Sequence, residues 1–67
     1  MAKIQINGRK KAIKQNFSIL DMLKKYKLNG KKVAIELNGK ILPRNKYNTR
    51  KLKNNDKIEI VQFIGGG

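Results

Sequence analysis

The chain lacks cysteine, histidine and tryptophan, and only four of its 67 residues are acidic. Without cysteine there is no disulfide, and without cysteine or histidine the usual zinc ligands are missing. The same absences exclude cysteine and histidine catalysis. Cysteine-free chains suit a reducing cytosol, so we expect a cytoplasmic protein with no metal site.

Long apolar runs are also missing. No stretch approaches the roughly 20 apolar residues of a membrane helix. Residues 1–5 enter an alternating pattern at once and have no apolar signal core. We therefore expect no membrane association, and one small domain that depends on a single compact core.

The few acids leave little room for catalysis. Asp21 falls at a predicted helix start and Asp56 in a predicted turn, while Glu36 and Glu59 occupy outward strand positions where lysines can pair with them. Ser18 is occupied as a helix cap, so no nucleophile and base remain. No glycine-rich phosphate loop joins a strand to a helix. We expect that the protein is not an enzyme.

Basic residues, by contrast, are abundant: Lys plus Arg number 17, and the formal net charge is +13. Such a charge is typical of proteins that bind nucleic acid or an anionic surface. Only three of these residues are arginine, the better ligand for phosphates and base edges. The basic residues are also spread along the chain, so a compositional bias towards Lys, Asn and Ile is the alternative to a basic binding face, and we expect no nucleic-acid partner.

The first third of the chain predicts a hairpin and a helix. Ile4 and Ile6 alternate with polar residues, as in a half-buried strand, and an Asn-Gly pair at 7–8 favours a type I′ turn. A second strand is predicted over residues 11–15. Ser18 and Asp21 predict a capping box. The apolar stripe of the helix comprises Ile19, Leu23 and Tyr26, with Leu20 beside it. Residues 28–30 are expected to end the helix with a left-handed cap.

The remainder predicts three further strands. Residues 33–37 alternate, an Asn-Gly turn follows at 38–39, and residues 41–42 form a short return strand that Pro43 ends. A polar segment over 44–55 contains Tyr47 and Leu52 as expected anchors. A turn then leads to a last strand over 57–64.

This order of elements favours an α+β fold in which a mixed sheet of four to five strands packs on one helix. The long final strand can lie between the two outer strand pairs, as in the ubiquitin-like β-grasp. We expect a β-grasp domain over residues 1–64 and a flexible glycine tail over residues 65–67.

The tail consists of Gly65, Gly66 and Gly67. Loose termini and cloning remnants are often glycine-rich, which is the bland interpretation. The functional interpretation is mechanical, because three extended residues reach roughly 10 Å and glycines can enter a narrow channel. The carboxylate of Gly67 can then be activated in the site of another protein.

The last strand changes phase before the tail. Val61 and Phe63 fall on the face opposite Ile58 and Ile60. Exposed apolar residues beside a functional end are candidate docking anchors, and Ile64 joins them. The alternative is that both faces of a central strand are covered, or that a twist or bulge returns these residues to the core.

Several segments together resemble the sulfur carrier family of thiamine biosynthesis, ThiS. The resemblance covers essentially the whole chain, and it is carried by residues 4–8, 33–39, 41–44, 56–61 and 63–67. A terminal glycine pair is shared by many ubiquitin-like carriers. The short length, the two Asn-Gly turns and the Pro43-Arg44 step are more specific.

The resemblance implies a set of partners. An adenylating enzyme would activate the carboxylate of Gly67 with ATP and Mg²⁺, so the carrier itself would bind no cofactor. A cysteine desulfurase relay would supply sulfur to form a thiocarboxylate, and thiazole synthase would accept that sulfur. Gly66 and Gly67 match the functional pair, and Gly65 extends the reach. The +13 charge departs from the near-neutral or acidic balance expected of the family, which predicts acidic rims on the partners.

Two alternatives belong to this interpretation. A sister carrier, such as the small subunit of molybdopterin synthase, uses the same tail chemistry. A small basic RNA-binding domain is the alternative from another class, and it predicts a strong salt dependence of RNA binding.

Overall fold

A computed structural model describes residues 1–63. In chain order its elements are β1 (Ala2–Ile6), β2 (Arg9–Ile13), α1 (Ile19–Lys25), a 3-10 helix (Gly30–Lys32), β3 (Val33–Leu37), β4 (Lys40–Ile41), a second 3-10 helix (Arg44–Lys46) and β5 (Lys57–Gln62). Across this part of the chain, no helix has the length and apolarity that a membrane crossing requires.

The five strands form one mixed sheet in the order β2-β1-β5-β3-β4. The last strand, β5, lies in the middle, where it pairs parallel with β1 and antiparallel with β3. The other two pairs, β1 with β2 and β3 with β4, are antiparallel hairpins. The predicted α+β architecture, a ubiquitin-like β-grasp with a central final strand, is confirmed.

Both hairpins close through Asn-Gly turns, as predicted. Asn7 and Gly8 have φ angles of 51° and 82°, and Asn38 and Gly39 have 53° and 86°. Positive φ at both central residues suits asparagine and glycine and matches the twist of the flanking strands. The predicted bounds of the second strand, 11–15, are wrong, because the two-residue turn lets β2 begin pairing at once, at Arg9.

Helix α1 begins with the predicted capping box. The Asp21 N–H donates to the Ser18 hydroxyl at 3.0 Å, and the Ser18 N–H donates to Oδ2 of Asp21 at 3.1 Å. The bond from the Ser18 backbone holds the pKa of the Asp21 carboxyl below its usual value. A lowered folded-state pKa means that this carboxylate stabilises the fold at neutral pH, and that its contribution is lost as the pH falls through that pKa.

The end of α1 differs from the prediction of a cap at residues 28–30. Lys27 takes the left-handed conformation, with φ 57°. The Leu28 N–H donates to the Leu23 carbonyl, and the Lys27 N–H donates to the Lys24 carbonyl, which is the Schellman arrangement. The helix ends early because this arrangement turns Leu28 back against the core. Gly30 instead starts the first 3-10 helix.

The core lies between α1 and one face of the sheet. Its buried apolar residues are Ala2, Ile4, Ile13, Ile19, Met22, Leu23, Val33, Ile35, Leu37, Tyr47, Leu52 and Ile58. Tyr47 and Leu52 anchor the polar segment, as predicted. The predicted helix stripe omitted Met22, which is fully buried, whereas Leu20 and Tyr26 lie at the edge of the core.

The remaining differences concern strand ends. Strand β4 covers Lys40–Ile41 instead of 41–42, and Leu42 turns towards the core. Strand β5 ends at Gln62, and residue 64, the predicted end of both strand and domain, lies outside the described residues. The division into residues 1–64 and 65–67 therefore stays a prediction.

Candidate functional site

The site begins with the path of β5 towards the C-terminus. After β5 ends at Gln62, the Phe63 N–H donates to the Lys32 carbonyl at 2.8 Å, which extends the ladder with β3 by one bond. The chain therefore leaves the sheet from its central strand, beside the start of β3. Predicted tail residues Gly65, Gly66 and Gly67, and the docking candidate Ile64, lie outside the described residues, so their roles stay predictions.

Two side chains outside β5, those of Asn7 and Arg44, fix the position of its C-terminal end. Asn7 accepts a hydrogen bond from the Ile60 N–H at 2.7 Å and donates to the Ile60 carbonyl at 3.2 Å. It thereby extends the contact of β5 with the first hairpin beyond the end of β1. Arg44 donates to the carbonyls of Gly30 and Val33, both at 3.1 Å, and so fixes the segment that pairs with Phe63.

Neither anchoring role follows from local sequence. The Asn-Gly pair explains the turn conformation of Asn7 but gives no sign that its side chain reaches the last strand. Arg44 lies 11 residues beyond Val33 along the chain. Only the Pro43-Arg44 step, noted in the resemblance, singled this residue out.

Val61 and Phe63 are exposed, as predicted, at 60% and 47% of their surface. Side chains alternate along a strand, so Val61 points away from the core into which Ile58 packs. Ile60 also packs against the core. The alternative, that both faces of β5 are covered, is wrong at Val61 and Phe63. Their role as docking residues remains a prediction.

The face of the sheet that is turned away from the core is called the outer face. Ile41 is a further exposed apolar residue on it, and the sequence had not indicated this position. It is 80% exposed and pairs with Glu36. The signal was available in the hairpin, because a two-residue turn at 38–39 pairs residue 36 with 41 and places both side chains on one face.

Glu36 and Glu59 also lie on this outer face, and they lie directly opposite each other in the pairing of β3 with β5. Both are exposed, as predicted for outward strand positions. Neither forms an ion pair with a lysine, since Arg50 with Asp56 is the only ion pair within residues 1–63. Strands β3 and β5 are far apart in the sequence, and the register of their pairing brings the two carboxylates together.

The other half of the outer face is basic. Lys10 pairs with Gln5, and Gln5 pairs with Lys57, so a row of polar side chains crosses β2, β1 and β5. Lys3 lies on the same face of β1. These lysines line a shallow groove of about 510 Å³.

The two remaining acids have structural roles. Asp21 caps α1, and Asp56 is buried and accepts hydrogen bonds from Lys53 and Asn38. No three potential metal-ligating side chains come together anywhere in residues 1–63. The site therefore consists of an exposed sheet face beside the exit towards the tail.

Comparison with known proteins agrees with this geometry. The crystal structure of a thiamine biosynthesis protein, ThiS, from Geobacter metallireducens superposes with a TM-score of 0.82 at 26% identity, over 97% of this chain and 99% of that one. A solution structure of a thiamine biosynthesis protein from the same organism gives 0.78 at 26% identity, over 97% and 87%. No curated protein matches the chain significantly. The ThiS family model matches residues 4–67, and the chain therefore belongs to the ThiS family.

Proposed function

We propose that this protein is a sulfur carrier of thiamine biosynthesis, with the carboxylate of Gly67 as its working group. The observation that carries the proposal is that the family match runs through Gly67 and that an exposed apolar face lies along the strand leading to it. The β-grasp domain serves as a rigid holder for the tail at residues 65–67.

The chemistry that we propose uses an activated carboxylate. A carboxylate is a poor electrophile, so one of its oxygens first attacks the α-phosphorus of ATP and displaces pyrophosphate. Hydrosulfide then displaces AMP from the acyl adenylate and leaves a thiocarboxylate at Gly67; if a persulfide is the nucleophile, the product is an acyl disulfide, and a thiol reductant must cleave its S–S bond to release the thiocarboxylate. The carrier supplies no acid, base or thiol for either step, in keeping with a chain whose Asp21 and Asp56 have structural roles.

The partners that we propose are those that membership of the family implies. An adenylating enzyme supplies the site for ATP and Mg²⁺, a cysteine desulfurase relay provides the sulfur, and thiazole synthase accepts it. All three would be cytoplasmic proteins that meet the carrier in turn. The protein itself acts as a co-substrate and not as an enzyme.

Intact-mass measurement tests the proposal directly. We expect the purified chain to gain about 16 Da, the difference between sulfur and oxygen, after incubation with its cognate adenylating enzyme, ATP and a sulfur source. Omission of ATP is the control and should leave the mass unchanged. A chain that keeps its original mass in the complete mixture would contradict the proposal.

Val61 provides a test of the docking face. We expect Val61→Asp to weaken binding to the adenylating enzyme about 10- to 100-fold, since a charge at an apolar contact removes on the order of 1.5–3 kcal/mol of binding free energy. Titration calorimetry would measure the affinity, and thermal unfolding would check the fold.

Asn48→Asp is the matched control for Val61→Asp, because Asn48 is exposed in the loop after the second 3-10 helix and the variant introduces the same charge. It should bind like the unmodified chain. Equal weakening by both variants would assign the effect to net charge and not to the outer sheet face.

A further inference from the structure

The chain contains three Asn-Gly pairs, at residues 7–8, 29–30 and 38–39. This dipeptide is especially prone to spontaneous loss of ammonia, because glycine has no Cβ atom to hinder attack by its backbone nitrogen on the asparagine side chain. The three pairs share this chemistry but differ in their surroundings. The structure therefore indicates which of them reacts first.

Two of the pairs are held in place by the last strand. Asn7 accepts a hydrogen bond from the Ile60 N–H and donates from Nδ2 to the Ile60 carbonyl. Asn38 accepts from the Lys57 N–H at 2.9 Å and donates from Nδ2 to the Asp56 carboxylate at 3.0 Å. Both polar atoms of each side-chain amide are thus bound in or beside β5, and attack on either would require opening the centre of the sheet.

The side chain of Asn29 is held by fewer bonds. Its Oδ1 accepts from the Lys31 N–H at 2.9 Å, which caps the first 3-10 helix, whereas its Nδ2 has no hydrogen-bond acceptor within residues 1–63. The residue is exposed, and its one side-chain bond spans only two positions. Short exposed turns open at little cost in free energy, so this amide is the most accessible of the three.

Glycine at position 30 has no conformational cause. The glycines of the two hairpin turns have φ angles of 82° and 86°, which those turns require, but Gly30 has no positive φ. A Cβ atom at Gly30 would meet Leu23 and Tyr47 at 3.6 and 3.7 Å, which is ordinary van der Waals contact. Neither the backbone nor the packing therefore demands glycine after Asn29.

We propose that Asn29 is a site of spontaneous modification in the folded protein, where it converts to aspartate and isoaspartate. The Gly30 nitrogen gives up its proton and attacks Cγ of Asn29, and ammonia leaves from Cγ and carries that proton away. The product is a cyclic succinimide, and water opens it at one of its two carbonyls. Water is the only co-reactant, and no electron is gained or lost.

The modification changes the segment beside the C-terminal end of β5. Isoaspartate adds a carboxylate and routes the main chain through Cβ and Cγ of residue 29. Arg44 donates to the Gly30 carbonyl at 3.1 Å, and the Phe63 N–H donates to the Lys32 carbonyl two residues further on. We expect isoaspartate at position 29 to lower the thermal unfolding midpoint by roughly 5 °C, as for loss of one helix cap in a small domain.

Incubation of the folded protein in water enriched in oxygen-18 tests the site. Ring opening by this water adds about 3 Da to a peptide, whereas reaction in ordinary water during later handling adds about 1 Da. Trypsin, which cuts after lysine and arginine, places the three pairs in separate peptides, residues 4–9, 28–31 and 33–40. We expect peptide 28–31 to gain the heavier mass at least about 10-fold faster than the other two.

Two controls show whether the structure decides the site. In concentrated guanidinium chloride, which unfolds the chain, the three peptides should gain mass at rates within about threefold of one another. Gly30→Ala fits the space available and should keep the fold. It should slow the reaction at Asn29 at least about 10-fold, because the added Cβ atom hinders ring closure.

Several outcomes would overturn the proposal. Equal rates in the folded protein, or faster gain in peptide 4–9 or 33–40, would do so directly. The same spread of rates in the unfolded chain would assign the preference to neighbouring residues and not to the fold. An unchanged rate in Gly30→Ala would exclude the succinimide. Equal thermal midpoints for the parent chain and the isoaspartate form, separated by ion exchange, would overturn the structural consequence.

Discussion

Deletion of Gly66 and Gly67 is expected to abolish the gain of about 16 Da that marks thiocarboxylate formation. The two residues supply up to roughly 7 Å of reach, and without them the new terminal carboxylate would stop short of the nucleotide in the adenylating site. The loss should be complete, because a misplaced reacting group forfeits most of the benefit of proximity. Intact mass after the activation reaction measures it.

The fold should be unaffected by this deletion, because the core comprises residues between Ala2 and Ile58. An unchanged thermal midpoint would therefore show that the tail was lost and the domain was not. Gly67→Ala is the matched control, because it keeps the length of the chain and its terminal carboxylate and adds only a Cβ atom. It therefore tests how closely the site of the adenylating enzyme encloses the tail. Sulfur gain by the shortened chain would contradict the assignment of Gly67.

The same deletion also distinguishes a sulfur-carrier function from an RNA-binding function. RNA binding through the lysines predicts steep salt dependence and no role for the tail. If the full and shortened chains bind RNA equally well and neither gains sulfur, the basic surface and not the tail is the functional part of the molecule.

Asp56→Ala is expected to cause the largest loss of stability among single changes outside the apolar core. The carboxylate is 7% exposed and accepts hydrogen bonds from the Lys53 N–H at 2.8 Å and the Asn38 amide at 3.0 Å. Arg50 lies 3.3 Å from it. Alanine would leave these donors without their partner, at a cost of about 2–4 kcal/mol.

A loss of this size lowers the thermal midpoint of a 67-residue domain by roughly 10–25 °C, which calorimetry or circular dichroism would detect. Asp56→Asn keeps the shape and part of the hydrogen bonding, so its loss should be smaller. Glu59→Gln removes an exposed carboxylate and should show no loss. Equal midpoints for Asp56→Ala and the unmodified chain would contradict the structural role of this network.

The sequence correctly predicted the turns and the helix start, because each of these is determined by residues close together in the chain. The Asn-Gly pairs fixed both turns through their tolerance of positive φ, and Ser18 with Asp21 fixed the start of α1 through reciprocal hydrogen bonds. The bounds of β2 were harder to predict, because four of its five residues are exposed and show no alternation. The cap at Lys27 was missed since glycine is the usual residue there.

The candidate site was only partly predictable, because its two halves come from distant segments. The phase change at Val61 and Phe63 is visible in the last strand alone, and exposure followed from it. The encounter of Glu36 with Glu59 depends on the register between β3 and β5, which no local pattern specifies. Asp56 was interpreted as a turn residue for the same reason, since its contact with Asn38 spans 18 positions.

The central position of β5 in the sheet determines when the protein can fold during its synthesis on the ribosome. The two hairpins that precede it share no sheet until residues 57–62 are inserted between them. Cooperative folding therefore waits for the last strand to be synthesised and released. A chain cut short before that strand would lack the strand that joins the two hairpins into one sheet, so translation of an incomplete message would yield an unfolded fragment for proteolysis.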